Sequence, residues 1–413
     1  MNKEIIQKYA KLAVCKGVNV QKGQILMINT SVEAIDMTRA CVEEAYKAGA
    51  KQVVVNYIDE CVRRSQYLYE DEETLTNIRP FVIDSKLTYF KEGACILHII
   101  SEKPGIFKGL DAEKISKYQF AMSNAGKEVQ EYTMLNKAQW CIVAVPNVEW
   151  AKQVFPDCED DNAAVELLWE QILHAVHVEE DNDPVKEWDL LGDRFKSRSK
   201  ILNDYDFKAM RFENSLGTNL EVGLPEHHIW SGGSDTKVGT DVEFNPNMPT
   251  EEIFTMPLKT GVNGVVYASK PLLYSGELIE DFYIEFKDGK AVNFDAQEGK
   301  EALAQLISFD EGSCYLGEVA LVPYDSPISK SNILFLNTLF DENASCHLAL
   351  GAAYPTCLKG GEDMSEEELA KAGANISLTH VDFMFGTGDM KITGITKDGK
   401  EIPVFENGNF VFD

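Results

Sequence analysis

Two histidines near the end of the chain stand among residues that can do chemistry. His380 and Asp382 lie two positions apart inside the apolar run from Leu378 to Phe385. In a strand, such positions share a face, so imidazole and carboxylate project side by side. Polar groups withdrawn from water need partners. A metal ion is one such partner, and a plain His–Asp hydrogen bond is the other. His347 opens a second apolar stretch, His347-Leu348-Ala349-Leu350-Gly351. Glu318 stands alone among the apolar residues between Tyr315 and Pro323, where it faces either solvent or something positive. Glu251-Glu252 falls between the Pro249 turn and an apolar strand start. Acidic pairs at strand ends are often merely exposed, and chemistry alone does not choose between the two. Two imidazoles and three carboxylates suit zinc, cobalt or manganese, and disfavour a structural Cys-type zinc site. Five ligands exceed what one catalytic zinc usually takes from protein. They suffice for two divalent ions sharing a carboxylate, an arrangement that generates hydroxide and polarises a carbonyl.

Other constellations are weaker. Cys346, His347 and Cys357 have no zinc-finger or ribbon spacing. His174 and His177 read as a helical i, i+3 pair with no acidic partner spaced to complete a site. His227-His228, beside Trp230 and Gly232-Gly233, reads as an exposed loop pair, with a pocket lining as the alternative. His98 reads as a hydrogen-bonded core residue, and Gly386-Thr387-Gly388-Asp389 as a turn too short for a phosphate loop. Neither G-x-S-x-G nor H-E-x-x-H occurs, which disfavours serine and zincin-type proteases.

The elements that must position these residues follow from periodicity. In the first half, apolar strands at 24–29, 52–57, 94–101 and 140–146 alternate with helical segments at 1–16, 31–49, 111–137 and 161–177. Ser31 is the expected N-cap of the second helix and Gly49 its stop. Such alternation predicts an α/β domain with a largely parallel sheet. No glycine-rich turn of the dinucleotide or P-loop type follows any of these strands. The charged run Glu179-Glu180-Asp181-Asn182-Asp183-Pro184 marks a boundary, with a helix at about 186–203 beyond it. The division is therefore 1–185, the α/β N-terminal domain, and 186–413, a strand-rich α+β catalytic domain. In the second, 281–296 reads as a hairpin through Lys287-Asp288-Gly289-Lys290, a turn repeated at Lys397-Asp398-Gly399-Lys400. Residues 362–372 read as a short acidic helix and loop.

Composition bounds the function classes. At 413 residues, two domains are the default. A net charge of −28 would repel a phosphate backbone over most of the surface, which argues against nucleic-acid binding. No apolar run is long enough to cross a bilayer, and the first residues lack a signal-peptide core, so a cytoplasmic protein without a membrane partner is expected. Nine scattered cysteines with no C-x-x-C pair fit reduced thiols rather than a disulfide framework.

These stretches together carry a resemblance. Asn247-Met248-Pro249-Thr250-Glu251-Glu252-Ile253-Phe254-Thr255, Gly317-Glu318-Val319-Ala320-Leu321, His347 to Tyr354 and His380-Val381-Asp382-Phe383-Met384 resemble the thermophilic-metalloprotease-type aminopeptidases. The likeness runs along the whole chain and is sharpest after residue 225. It implies metal ligands at Glu252, Glu318, His347, His380 and Asp382, selecting Glu252 over Glu251, with Tyr354 at the site. It also implies a cocatalytic pair of divalent ions, release of N-terminal amino acids from short peptides, and a homodimer. In that reading Glu318 bridges the ions, Tyr354 donates to the developing oxyanion, and Glu251 or another carboxylate accepts the proton of the attacking water. Two rival readings are a metal-dependent amidohydrolase acting on a non-peptide substrate and a non-catalytic acidic binding protein on the same scaffold.

Overall fold

The structure, a computed structural model, describes residues 2–274 and 277–412. Its internal contacts fall into two units. The first runs to Leu190 and takes back Ser234–Pro249; the second comprises Leu191–Gly233 and Thr250–Asp413.

The first unit is built on four parallel strands, β1 (Ile25–Ser31), β2 (Gln52–Ile58), β3 (Cys95–Ile100) and β4 (Trp140–Ala144), in the order β2-β1-β3-β4. β1 is buried along nearly its whole length, as a central parallel strand covered on both faces must be, which explains its continuous apolar reading. β2 is an edge strand, and Asn56, Tyr57 and Ile58 are exposed. Gly49 ends the helix Ile35–Ala48 at φ 98°, a conformation that favours glycine. Ser31 does not cap as expected. Its hydroxyl accepts from the Ser101 N–H at 3.0 Å, and a 3-10 turn, Val32–Ala34, precedes the helix. The strand neighbour and the helix compete for one hydroxyl, and the neighbour wins. The expected helix over 111–137 divides at Gly126 into Ala112–Ala125 and Lys127–Met134, with Asp111 accepting from the Glu113 and Lys114 N–H groups.

A helix from Pro184 to Tyr205 begins on the proline that fits a first helical turn. In the second unit, an eight-stranded antiparallel sheet includes both expected hairpins, Tyr283–Lys287 with Lys290–Asp295 and Lys391–Ile395 with Glu401–Glu406. Their turns place Asp288 and Gly289 at φ 49° and 83°, and Gly399 at 84°, which these residue types tolerate. The expected acidic segment contains the helix Glu366–Lys371, closed by a capping box between Ser365 and Glu368. The remaining large element is a four-stranded antiparallel sheet of β5 (Ile253–Thr255), β6 (Leu316–Leu321), β7 (His347–Gly351) and β8 (His380–Met384), ordered β8-β7-β6-β5. β6 and β7, at its centre, are buried at every residue.

Candidate metal centre

Register brings the predicted residues to one face of this sheet. β7 pairs with β8 so that Ala349 opposes Asp382 and Gly351 opposes His380. It pairs with β6 so that Glu318 opposes Ala349 and Ala320 opposes His347; β6 in turn places Ala320 against Phe254 of β5. Opposed residues share a face, and so do residues two apart. Glu252, Glu318, His347, His380 and Asp382 therefore point the same way. The positions between them on that face are Ala320, Ala349 and Gly351, small residues that leave room above the sheet.

Glu318 reaches this face through a bulge. Leu316 opposes Leu350, yet Glu318 opposes Ala349, so Gly317 is an extra residue against β7. Without it Glu318 would turn to the opposite face. A Cβ at Gly317 would lie 2.1 Å from the Ala352 carbonyl oxygen and 2.4 Å from that of Gly351, so the bulge admits glycine alone without rearrangement.

The side chains form two groups that share Glu318: Glu252, Glu318 and His347, and Glu318, His380 and Asp382, each with ligand atoms within 4.8 Å of one another. His347 Nε2 lies 3.0 Å from Glu252 Oε2 and 3.4 Å from Glu318 Oε1. His380 Nε2 lies 3.6 Å from Glu318 Oε2 and 3.5 Å from Asp382 Oδ1. Each Nδ1 faces a carbonyl, that of Ser345 for His347 at 3.3 Å and that of Ala352 for His380 at 2.7 Å, which turns Nε2 toward the carboxylates.

The electrostatics are those of a buried, negatively charged cluster. Burial pushes the Glu318 carboxyl up to about 7, with Glu252 and Asp382 adding to the rise and His347 opposing it. Burial works against the charge of both imidazoles, but the carboxylates outweigh it: His347 is held well above its ordinary value and His380 is raised to about 10, chiefly by Asp382. Asp382 is lowered, because His380 more than offsets its burial. Tyr354 packs its ring 4.8 Å from that of His380. Burial, then the carboxylates of Glu318 and Asp382, drive its phenol well above the usual range, so it keeps its proton.

Glu342 was not singled out by the sequence. It lies in the 3-10 turn Glu342–Ala344 just before β7. Burial, followed by Glu252 and Asp382, raises its carboxyl well above the ordinary value, so it belongs to the same electrostatic cluster. Its only signal was a polar run, Asp341-Glu342-Asn343, ahead of His347. Glu251 is buried, its N–H donates to Asn343 Oδ1 at 2.7 Å, and it lies outside both ligand groups. The other histidines are elsewhere. His227 is exposed, whereas His228 is buried, facing the Pro225 carbonyl and the edge of Trp230. His177 lies beyond the end of the helix Asp161–Ala175, so it does not form a helical pair with His174. Cys346 is buried with its thiol toward the Val322 carbonyl, and none of the nine cysteines, all among the described residues, forms a disulfide.

The residues fit a divalent cation. Asp382 Oδ1 is buried and meets no donor closer than His380 Nε2 at 3.5 Å, a long contact for a buried carboxylate and one that a cation would improve on. The donor set is carboxylate and imidazole, and anionic groups outnumber the two histidines. Imidazolium protons occupy the positions that metal binding would clear.

Over residues 2–410 the chain matches the family described as thermophilic metalloprotease (M29). It is 45% identical over 408 residues to Aminopeptidase AmpS of Bacillus subtilis (strain 168), covering 98% of each chain. It is 41% identical over 408 residues to Aminopeptidase 2 of Geobacillus stearothermophilus, covering 99% of this chain and 98% of the relative. The solved structure of wild-type AmpT from Thermus thermophilus matches with a TM-score of 0.92 at 38% identity, over 99% of both chains. A match to 2,5-dihydroxypyridine dioxygenase from Pseudomonas putida KT2440, with a TM-score of 0.50 at 12% identity, concerns the fold alone. A sheet face crowded with buried carboxylates and imidazoles, in a chain matched to the family almost from end to end, places this protein among the thermophilic metalloproteases of family M29, enzymes that hydrolyse peptide bonds with the aid of divalent metal.

Proposed function

We propose that the chain is an aminopeptidase working with two divalent ions, one held by Glu252, Glu318 and His347 and the other by Glu318, His380 and Asp382. The observation that carries this reading is the pair of ligand groups sharing Glu318 on one sheet face. Glu342 adds a carboxylate to the cluster. Zinc, cobalt and manganese suit such a donor set. When bound, such a pair supplies Lewis acidity toward the scissile carbonyl and an acidified water.

The remaining roles belong to the chain's own residues. The surplus of buried carboxylate favours a substrate with a free α-amine, which is what distinguishes an N-terminal residue from an internal one. Tyr354 keeps its phenolic proton and donates it as a hydrogen bond to the oxyanion that develops on the carbonyl. Glu251, buried next to Glu252 but outside both ligand groups, accepts the proton of the attacking water and returns it to the leaving amine. The family likeness adds short peptides as substrates and a homodimer as the assembly, which sedimentation of the intact protein would check.

Turnover of leucine para-nitroanilide tests the reading. Activity should vanish on chelation and return with added cobalt. The N-acetylated analogue should not be cleaved. Equal turnover of both compounds would favour the amidohydrolase reading, and metal-independent turnover would remove the mechanism.

A further inference from the structure

Outside the cluster, one carboxylate ties together the two loops that feed the strands of Glu318 and His380. Asp310 Oδ1 accepts from the N–H groups of Gly312 and Ser313, each at 2.8 Å. Those residues lead into β6, which carries Glu318. On its other side, Asp310 accepts from Ser377 Oγ at 2.8 and 2.9 Å and from the Leu378 N–H at 2.6 Å. Ser377 Oγ in turn accepts from the Thr379 N–H at 3.3 Å, one residue before His380. The loops touch at the backbone as well: a Cβ at Gly312 would lie 2.1 Å from the Ile376 carbonyl oxygen. Asn375 Nδ2 donates to the carbonyls of Gly312 and Gly351, at 2.8 and 2.6 Å, and closes the same junction. Burial opposes the Asp310 charge, but the converging donors outweigh it and hold the carboxyl below its usual range.

We propose that Asp310 is a positioning residue for the ion held by Glu318, His380 and Asp382, setting the approach of His380 to Glu318 through Ser377 and Leu378. The inference rests on the two-ion reading above. It predicts an asymmetry: Glu318 serves both ions, but Ser377 and Leu378 lead only to His380 and Asp382, and none of these Asp310 bonds reaches the segments carrying Glu252 or His347. His347 is aimed by the Ser345 carbonyl, and the Glu251 N–H next to Glu252 is held by Asn343. Residues that orient a metal ligand in this way typically contribute about 10- to 100-fold to metal affinity.

The test is calorimetric titration of cobalt(II) into the metal-stripped full-length protein. Wild type should bind two ions per chain, and His380→Ala should identify which binding step belongs to its group. Asp310→Asn should weaken that step by about 10-fold or more while leaving the other within about twofold. Ser377→Ala, which spares the carboxylate and its backbone donors, should shift the same step by less. Asp398→Asn, which alters a carboxylate bound to Thr396 in a hairpin turn of the same unit, should shift neither. Parallel weakening of both steps, or no change at all, with wild type binding two ions would overturn the role of Asp310 alone. A single ion in wild type would overturn the two-ion reading and this inference with it.

Discussion

His98 in the parallel sheet and His380 in the antiparallel sheet are the same residue type on β-strands shielded from water, and their imidazoles are driven in opposite directions. Burial, assisted by the nearby Lys86 ammonium, lowers His98 to about 4. Burial pulls His380 down too, yet Asp382 and Glu318 reverse the effect and raise it to about 10. His98 lies at the level of Asn29, whose side chain accepts from Asn56 Nδ2 at 3.2 Å, in a row of neutral polar groups. His380 opposes Gly351 but has anions beside it, Glu318 Oε2 at 3.6 Å and Asp382 Oδ1 at 3.5 Å. Burial alone therefore does not make a site; the sign of what surrounds the buried group does.

The largest effect should come from the residue common to both ligand groups. Glu318→Gln should lower kcat/KM by at least about 10³-fold, since metal-ion stabilisation is worth several kcal/mol and each 1.36 kcal/mol is tenfold. Stoichiometry by metal analysis should fall as well. Retained activity with two ions bound would detach Glu318 from the centre. Tyr354→Phe removes only a donor, so kcat should drop by roughly 10²–10³-fold with little change in KM. An unchanged kcat would return Tyr354 to a packing role against His380. Gly317→Ala attacks the geometry without touching a ligand. Displacing Glu318 by about an ångström should cost on the order of 10²-fold in kcat/KM, and a variant of wild-type activity would show that the bulge tolerates a side chain.

The smallest functional effect belongs to the other histidine. His98→Gln should leave turnover intact but change how stability depends on pH. The folded-state value of about 4 lies below the ordinary 6.5, so the unfolded chain binds the proton first. The neutral imidazole's contribution is complete above pH 6.5 and is lost as pH falls toward 4. The variant should lack that loss, which amounts to at most on the order of 3 kcal/mol. Urea unfolding midpoints at pH 7 and pH 4.5 check this through the difference between wild type and variant, where other titrations cancel. A constant difference across that range would mean that His98 takes up its proton in the native protein at the ordinary value, so that burial does not depress it.

Much of this arrangement was legible before the structure. Continuous apolar runs at β1 and β3, each separated from the next by helical periodicity, imply a parallel sheet because only strands covered on both faces read that way. Glu318, His347, His380 and Asp382 stood out as polar residues inside apolar strands, and the family resemblance pointed to Glu252 rather than Glu251. Other features depend on pairing rather than on local pattern. Nothing beside Ser31 reveals that Ser101 will take its hydroxyl. Gly317 hints at a bulge, but the face that Glu318 occupies is set by its register against Ala349. Glu342 sits in a short turn with no periodicity, and only folding brings its carboxylate near those of Glu252 and Asp382. Asp310 reads as an ordinary loop acid until the Ser377–Leu378 segment closes on it.

Anomalous diffraction from crystals grown with cobalt tests the central claim most directly. Two peaks roughly 3.5–4 Å apart are expected, one bounded by Glu252, Glu318 and His347 and the other by Glu318, His380 and Asp382. A single peak, or ions bound away from Glu318, would contradict it.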